Sequence, residues 1–223
     1  MQQDFEMLIV CHHEAGHAVV GHALGWQLRW VAAGRGRNTA AFEPVRVKAP
    51  SQADTKRERN RCVAAQRRAM TILSAGPVAA TIHQKAAEAR GWRCREERRA
   101  YRKGWEYRVS VVPLNRNDDP DSDYHLVREA ARKVVGHEPH PFFLATRDTQ
   151  AERDRIQRDF LRDWGEDIRA EILRAEARAE AILKRHWGVV ADIAAALHRS
   201  KSGRLLRRHL LPRLESVPVA AKK

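Results

Sequence analysis

Five residues near the start of the chain constrain it more than any others: His13-Glu14-Ala15-Gly16-His17. Side chains four apart share one face of an α-helix, so a helix here presents both imidazoles to the same point. Two imidazole nitrogens converging on one point can bind a Zn²⁺ ion at about 2.0–2.1 Å. Glu14 lies beside the pair as a non-ligand, within reach of a water at the metal, where a carboxylate acts as general base. With 11 His and 28 Asp+Glu in 223 residues, this pattern arises by chance roughly 0.07 times per chain. Its surroundings support a helix from Asp4 to Trp26. Leu8, Val10 or Cys11, Ala15, Ala18, Val19 and Ala23 recur at helical spacing, and Gly25 stands where a helix can stop.

A catalytic zinc requires a third protein ligand and one open position. The metzincin pattern would place Gly at 20 and His at 23, but the chain has Val20 and Ala23. His22 is five residues past His17, about 140° around the helix, and His12 is about 100° from His13, so neither joins the pair. A downstream carboxylate is the remaining source.

The rest of the chain reads as mainly α with a small β-hairpin or sheet, an α+β class with a helical C-terminal half. Leu28 to Val47 is a candidate hairpin, with Gly34-Arg35-Gly36-Arg37-Asn38 as its turn and Phe42, Val45 and Val47 on the return. After a break at Ala49-Pro50-Ser51, a helix is expected through Ala64, Arg68, Thr71 and Leu73. Gly76-Pro77 should interrupt it, with Pro77 opening a second helix that ends near Gly91. Tyr107 to Leu114 alternates as a short strand, and Asn115 to Asp123 is an acidic loop. Leu126, Val127, Ala130, Ala131 and Val134 mark a helix ended by Gly136. His137 to Phe143 is broken by proline. Thr149 to Trp187 predicts one long helix or two parted at Gly165, and a last helix pair covers Val189 to His198 and Gly203 to Leu211. These elements divide into a core over 1–145, with a basic insertion near 90–108, and a helical part over 146–223 packed on it as one domain.

Composition narrows the function classes. Apolar residues at 43% can supply a core, and with aromatics at 6% that core is built from Ala, Leu, Val and Ile. No apolar run approaches the roughly 20 residues of a membrane-crossing helix, and Met1 to Glu6 is acidic where a secretory signal is basic. Cys11, Cys62 and Cys94 are far apart and odd in number, which reads as a reduced, cytoplasmic setting. The net charge is +14, and residues 90–108 carry Trp92, Tyr101 and Trp105 among their cations. That combination suits nucleic-acid binding, the less favoured reading beside a solvated surface.

His13 to Gly21 (His-Glu-Ala-Gly-His-Ala-Val-Val-Gly) resembles the active-site helix of the FtsH-type ATP-dependent zinc metalloproteases. In order, Trp30-Val31-Ala32-Ala33-Gly34-Arg35-Gly36 resembles the strand and turn that follow in that family. Ile72-Leu73-Ser74-Ala75-Gly76-Pro77-Val78-Ala79-Ala80 resembles its glycine-containing helix start, with Ala80-Thr81 where the family has Ala-Glu. Ala177 to Arg204 resembles its closing helices. Ser122-Asp123 is similar to the segment that supplies the family's third ligand, so the resemblance implies His13, His17 and Asp123 as metal ligands and Glu14 as catalytic base. Asp118, Asp119 and Asp121 are rivals in the same loop, with Glu43 next. Asp123 has the firmer setting, in the first turn of a helix that Ser122 can cap. Asp118 and Asp119 would lose more chain entropy on binding.

The family's ATPase is not matched, because no Gly-x-x-x-x-Gly-Lys-Ser/Thr phosphate loop occurs in these residues. The expectation is therefore a stand-alone, ATP-independent zinc metalloendopeptidase with a zincin-like helix, acting on a peptide or protein. The peptide would extend along the strand near Trp30 to Gly34. A homo-oligomer and an unfoldase in trans are open expectations. Two alternatives stand beside it: a basic regulatory or nucleic-acid-binding protein with a structural zinc, and a narrow protease that cleaves one regulator.

Overall fold

The computed structural model describes residues 2–34, 38–43, 55–90, 123–135 and 150–220. The elements are α1 (Gln2–Ala23), β1 (Leu28–Ala32), β2 (Thr39–Phe42), α2 (Lys56–Ala89), α3 (Asp123–Val135), α4 (Gln150–Arg185), α5 (Trp187–Arg199), β3 (Arg204–Leu206) and α6 (Arg207–Leu214). The protein is mainly helical with one small three-stranded antiparallel sheet, an α+β arrangement.

Helix α1 ends before Trp26 for a local reason. Gly25 adopts φ +82, a left-handed conformation that carries no Cβ penalty in glycine. The Gly25 N–H donates to the His22 carbonyl and the Trp26 N–H to the Gly21 carbonyl, both at 2.9 Å. This paired arrangement closes the last helical carbonyls and turns the chain into β1. The buried face of α1 carries Cys11, Ala15, Ala18, Val19 and Val20. It packs with Ile72, Ala75 and Ala79 of α2 and with Leu183, Val190, Ile193 and Leu197 of α4 and α5. The helices α1 and α2 approach so closely that a Cβ on Gly16 would stand 2.6 Å from the Ala79 Cβ and 2.7 Å from the Ala75 carbonyl oxygen.

Two expectations about secondary structure are corrected, and one alternative is decided. Helix α2 runs unbroken from Lys56 to Ala89 with Pro77 inside it, so no second helix opens there. Pro77 removes the N–H that would bond the Leu73 carbonyl, a loss of about 3 kcal/mol in an isolated helix. Burial of Met70, Thr71, Ile72, Ala75, Val78 and Ala79 around that point outweighs it. Of the two readings for Thr149 to Trp187, one long helix or two, α4 is the single helix: it is continuous through Gly165, whose penalty of about 1 kcal/mol is small against so long a helix. The segment read as a helix over Gly203 to Leu211 begins instead as strand β3, pairing antiparallel with β1. Three residues are too short to show a strand period, and only the distant partner β1 makes them one.

The strand order β2-β1-β3 overturns the expected substrate edge. β1 is bonded on both sides, so no peptide can add along Trp30 to Ala32; among the described residues, β2 has an unpaired side. A second core joins Met70 of α2, Val127, Ala130 and Ala131 of α3, and Ile168, Ile172 and Ala175 of α4, and this packing positions α3. Several expectations lie outside the described residues: Val45 and Val47, the insertion over 91–108, the strand over 107–114, Asp118, Asp119, Asp121, Ser122, and the segment 137–143. No helix among the described residues is long and apolar enough to cross a membrane.

Candidate metal centre

The candidate metal-ligating atoms converge from two helices far apart in sequence. α1 supplies His13 and His17 one turn apart, and α3 supplies Asp123 as its first residue. The His13 Nε2 lies 2.9 Å from Asp123 Oδ2, the His17 Nε2 lies 3.0 Å from the same oxygen, and the two Nε2 atoms are 3.1 Å apart. These three residues form one group whose candidate ligand atoms all lie within 4.8 Å of one another. Around a tetrahedral ion with bonds of about 2.0–2.1 Å, neighbouring donors stand about 3.3–3.4 Å apart. The observed separations are slightly shorter, as expected where hydrogen bonds hold the triangle. The donor set therefore fits a divalent metal with one side left open.

The surrounding chain orients the donors. The His17 Nδ1–H donates to the Ile72 carbonyl at 2.7 Å, which leaves Nε2 for the metal. That carbonyl belongs to α2 just ahead of Pro77. Gly76 completes the cradle: a Cβ there would overlap the His17 Nε2 and stand 2.6 Å from the His13 Nε2. Any larger residue at 76 would occupy the metal's own space. The role of Gly76 and of the Ile72 carbonyl was not visible beforehand, because their relation to α1 is tertiary. The signal in the sequence was the resemblance of Ile72 to Ala80 to a glycine-containing helix start, which marks the segment without saying what it touches.

The electrostatics follow from three titratable groups sharing a poorly hydrated corner. Burial alone would raise the Asp123 pKa, but hydrogen bonds from His13 and His17 hold the carboxylate well below its usual range. Burial works against charge on His17, yet hydrogen bonding and attraction to Asp123, with Glu14 adding, raise it to about 8. Burial lowers His13, and the neighbouring His17 adds to that against the pull of Asp123. The shared surroundings thus favour a proton on His17 over one on His13, and a cation in the triangle would compete with it.

Glu14 stands next to the triangle without joining it. Its side chain is 3% exposed, and its Oε1 is 4.0 Å from the His13 Nε2. Its Oε2 is buried with no hydrogen-bond partner among the described residues. Burial lifts the carboxyl to about 7, with His17 and the Ala40 backbone amide pulling it down and Asp123 pushing it up. A carboxylate kept dry and poised near neutrality is suited to taking a proton and giving it back.

These groups open into a cleft of about 490 Å³. Trp26 and Phe42 meet edge to face at 5.8 Å on one wall, Thr39 and Ala40 of β2 form a second, and Leu73 and Leu126 face them. Glu43, the reserve ligand, lies beyond β2 and pairs with Arg29 at 3.6 Å, so it is not part of the group. His12 is buried against the rings of His83 and Trp187, and His22 is outside the group as expected. Cys11 is 1% exposed, and burial and the nearby Glu14 raise its thiol pKa to about 11, the state of an inert core residue. No protein-family model matches this chain, and no curated protein matches it.

Proposed function

We propose that this chain is a zinc metallopeptidase with a zincin-like site of the FtsH type, acting in the cytoplasm on peptide or protein substrates without its own ATPase. The observation that carries the reading is the pairing of two chemistries: a two-imidazole, one-carboxylate donor triangle, and a buried carboxylate beside it that is not a donor and whose Oε2 has no hydrogen-bond partner among the described residues. A structural zinc would need four closed ligands and no adjacent base.

In this reading His13, His17 and Asp123 hold the metal, and the Ile72 carbonyl and Gly76 keep the imidazoles in place. Zinc, when bound, supplies Lewis acidity that polarises a scissile carbonyl and lowers the pKa of a water towards about 7. Glu14 removes a proton from the attacking water at Oε2 and returns it to the leaving amine. β2 offers the open backbone edge for an extended peptide, with Thr39 and Ala40 at the cleft, and Trp26 and Phe42 receive an apolar side chain.

The test is metal analysis of purified protein beside digestion of casein or a peptide library. About one zinc per chain and hydrolysis are expected. Glu14→Gln should keep the metal and lose at least about 10²-fold in activity. A wild-type protein that folds without zinc, or a Glu14→Gln protein as active as wild type, would overturn the proposal.

A further inference from the structure

A second cleft lies between α2 and α4 and encloses about 370 Å³. It is separate from the metal group: Ala69, Ile72 and Leu73 turn to the metal side of α2, whereas Arg67 and Met70 turn to α4. Three guanidinium groups line it, those of Arg67, Arg174 and Arg178, with one carboxylate, Glu171. The Glu171 side chain is only 7% exposed. It accepts from Arg67 Nε at 3.0 Å and Nη2 at 2.7 Å, and from Arg174 Nη1 at 2.7 Å.

This buried carboxylate acts as a bracket. It fixes two long side chains that would otherwise lose rotamer freedom on meeting a ligand, so part of the ordering is already in place. Its oxygens are satisfied, while Arg67 keeps Nη1 and Arg174 keeps Nε and Nη2 for another acceptor. Arg178, one turn beyond Arg174 on the same face of α4, makes no hydrogen bond or ion pair among the described residues. The formal charge of the lining is 3 − 1 = +2. Below the cations the cleft is closed by Met70 and Ala175, at 0% and 5% exposure, so the surface it offers is that of the guanidinium groups.

From this juxtaposition we propose that the α2/α4 cleft binds a phosphate group, free or esterified. Arg67, Arg174 and Arg178 take the dianion. Guanidinium forks match the oxygen spacing of a phosphate, and a +2 lining balances a dianion. A volume of about 370 Å³ accommodates the phosphate and a small attached group.

The test is calorimetric titration of the full chain with phenyl phosphate, inorganic phosphate and succinate at physiological salt. Binding of either phosphate should be one to one and tighter than that of succinate, because the guanidinium forks match a phosphate dianion. Arg178→Ala should weaken it by at least about tenfold. Arg207→Ala, which removes an exposed cation from α6, should leave it unchanged and so controls for the net charge of +14. No saturation up to about 10 mM phenyl phosphate, equal loss in both variants, or succinate binding as tightly would each overturn the proposal.

Discussion

The residues of the metal group are coupled by protons as well as by geometry. In the metal-free protein His17 titrates near 8, above its ordinary 6.5. A raised folded-state pKa means that the proton on His17 stabilises the fold fully below about 6.5 and that this contribution is lost as pH rises through about 8. Asp123 is shifted the opposite way, so its contribution is present above its ordinary 3.8 and lost as pH falls. Zinc requires His17 neutral and must displace its proton. Zinc affinity should therefore rise about tenfold per pH unit between about 6 and 7.5 and flatten beyond about 8. Competition against a chelator across that range checks it, and a flat profile would mean that His17 is not protonated in the metal-free site.

At the scale of elements, glycines set the distances between helices and strands. Gly76→Ala should leave α2 helical, since alanine favours a helix, yet push a methyl into the His13 and His17 nitrogens. We expect circular dichroism unchanged and zinc binding weakened by at least about 10²-fold, within the usual scale of ligand-shell disruption. Gly203 holds the turn into β3. It adopts φ +62, its carbonyl accepts from the Ala33 N–H at 2.8 Å, and a Cβ would stand 2.6 Å from the Ala33 oxygen. Gly203→Ala should lower stability by about 1–3 kcal/mol in urea unfolding, through strain and loss of the β1–β3 pairing. A loss below a few tenths would show that β3 contributes little.

For the whole molecule, the main core and the metal group share α1. Its apolar side packs with α4 and α5, and its His13 and His17 side meets α2 and α3. Damage to the core far from the metal should therefore be recoverable by metal. Leu197→Ala, at a position 2% exposed on α5, should cost about 2–5 kcal/mol. Zinc at about 1,000 times its dissociation constant should return about 4 kcal/mol by binding the folded state alone. Thermal unfolding of the variant with and without zinc measures both. If zinc leaves the melting temperature unmoved, the site does not form in the folded chain.

Local chemistry was legible in the sequence where it depended on spacing along one element. The HExxH stretch placed His13 and His17 on one face, Gly25 marked the end of α1, and Asp123 stood at the head of its helix. Each rests on neighbours within a turn or two, where helical periodicity and glycine conformation dominate. What lay across the fold was not legible. Pro77 was expected to end a helix because its local cost is plain, while the burial that outweighs it comes from α1 and α4. Strand β3 was hidden because its pairing partner is β1, at the other end of the chain, and β1 was taken for an open edge for the same reason. Gly76, the Ile72 carbonyl and the dry setting of Glu14 exist only once α2 crosses α1. The sequence by itself thus determined which groups could ligate a metal and act as base. Tertiary packing alone decided that they meet, because convergence from α1, α2 and α3 depends on buried contacts that no local pattern records.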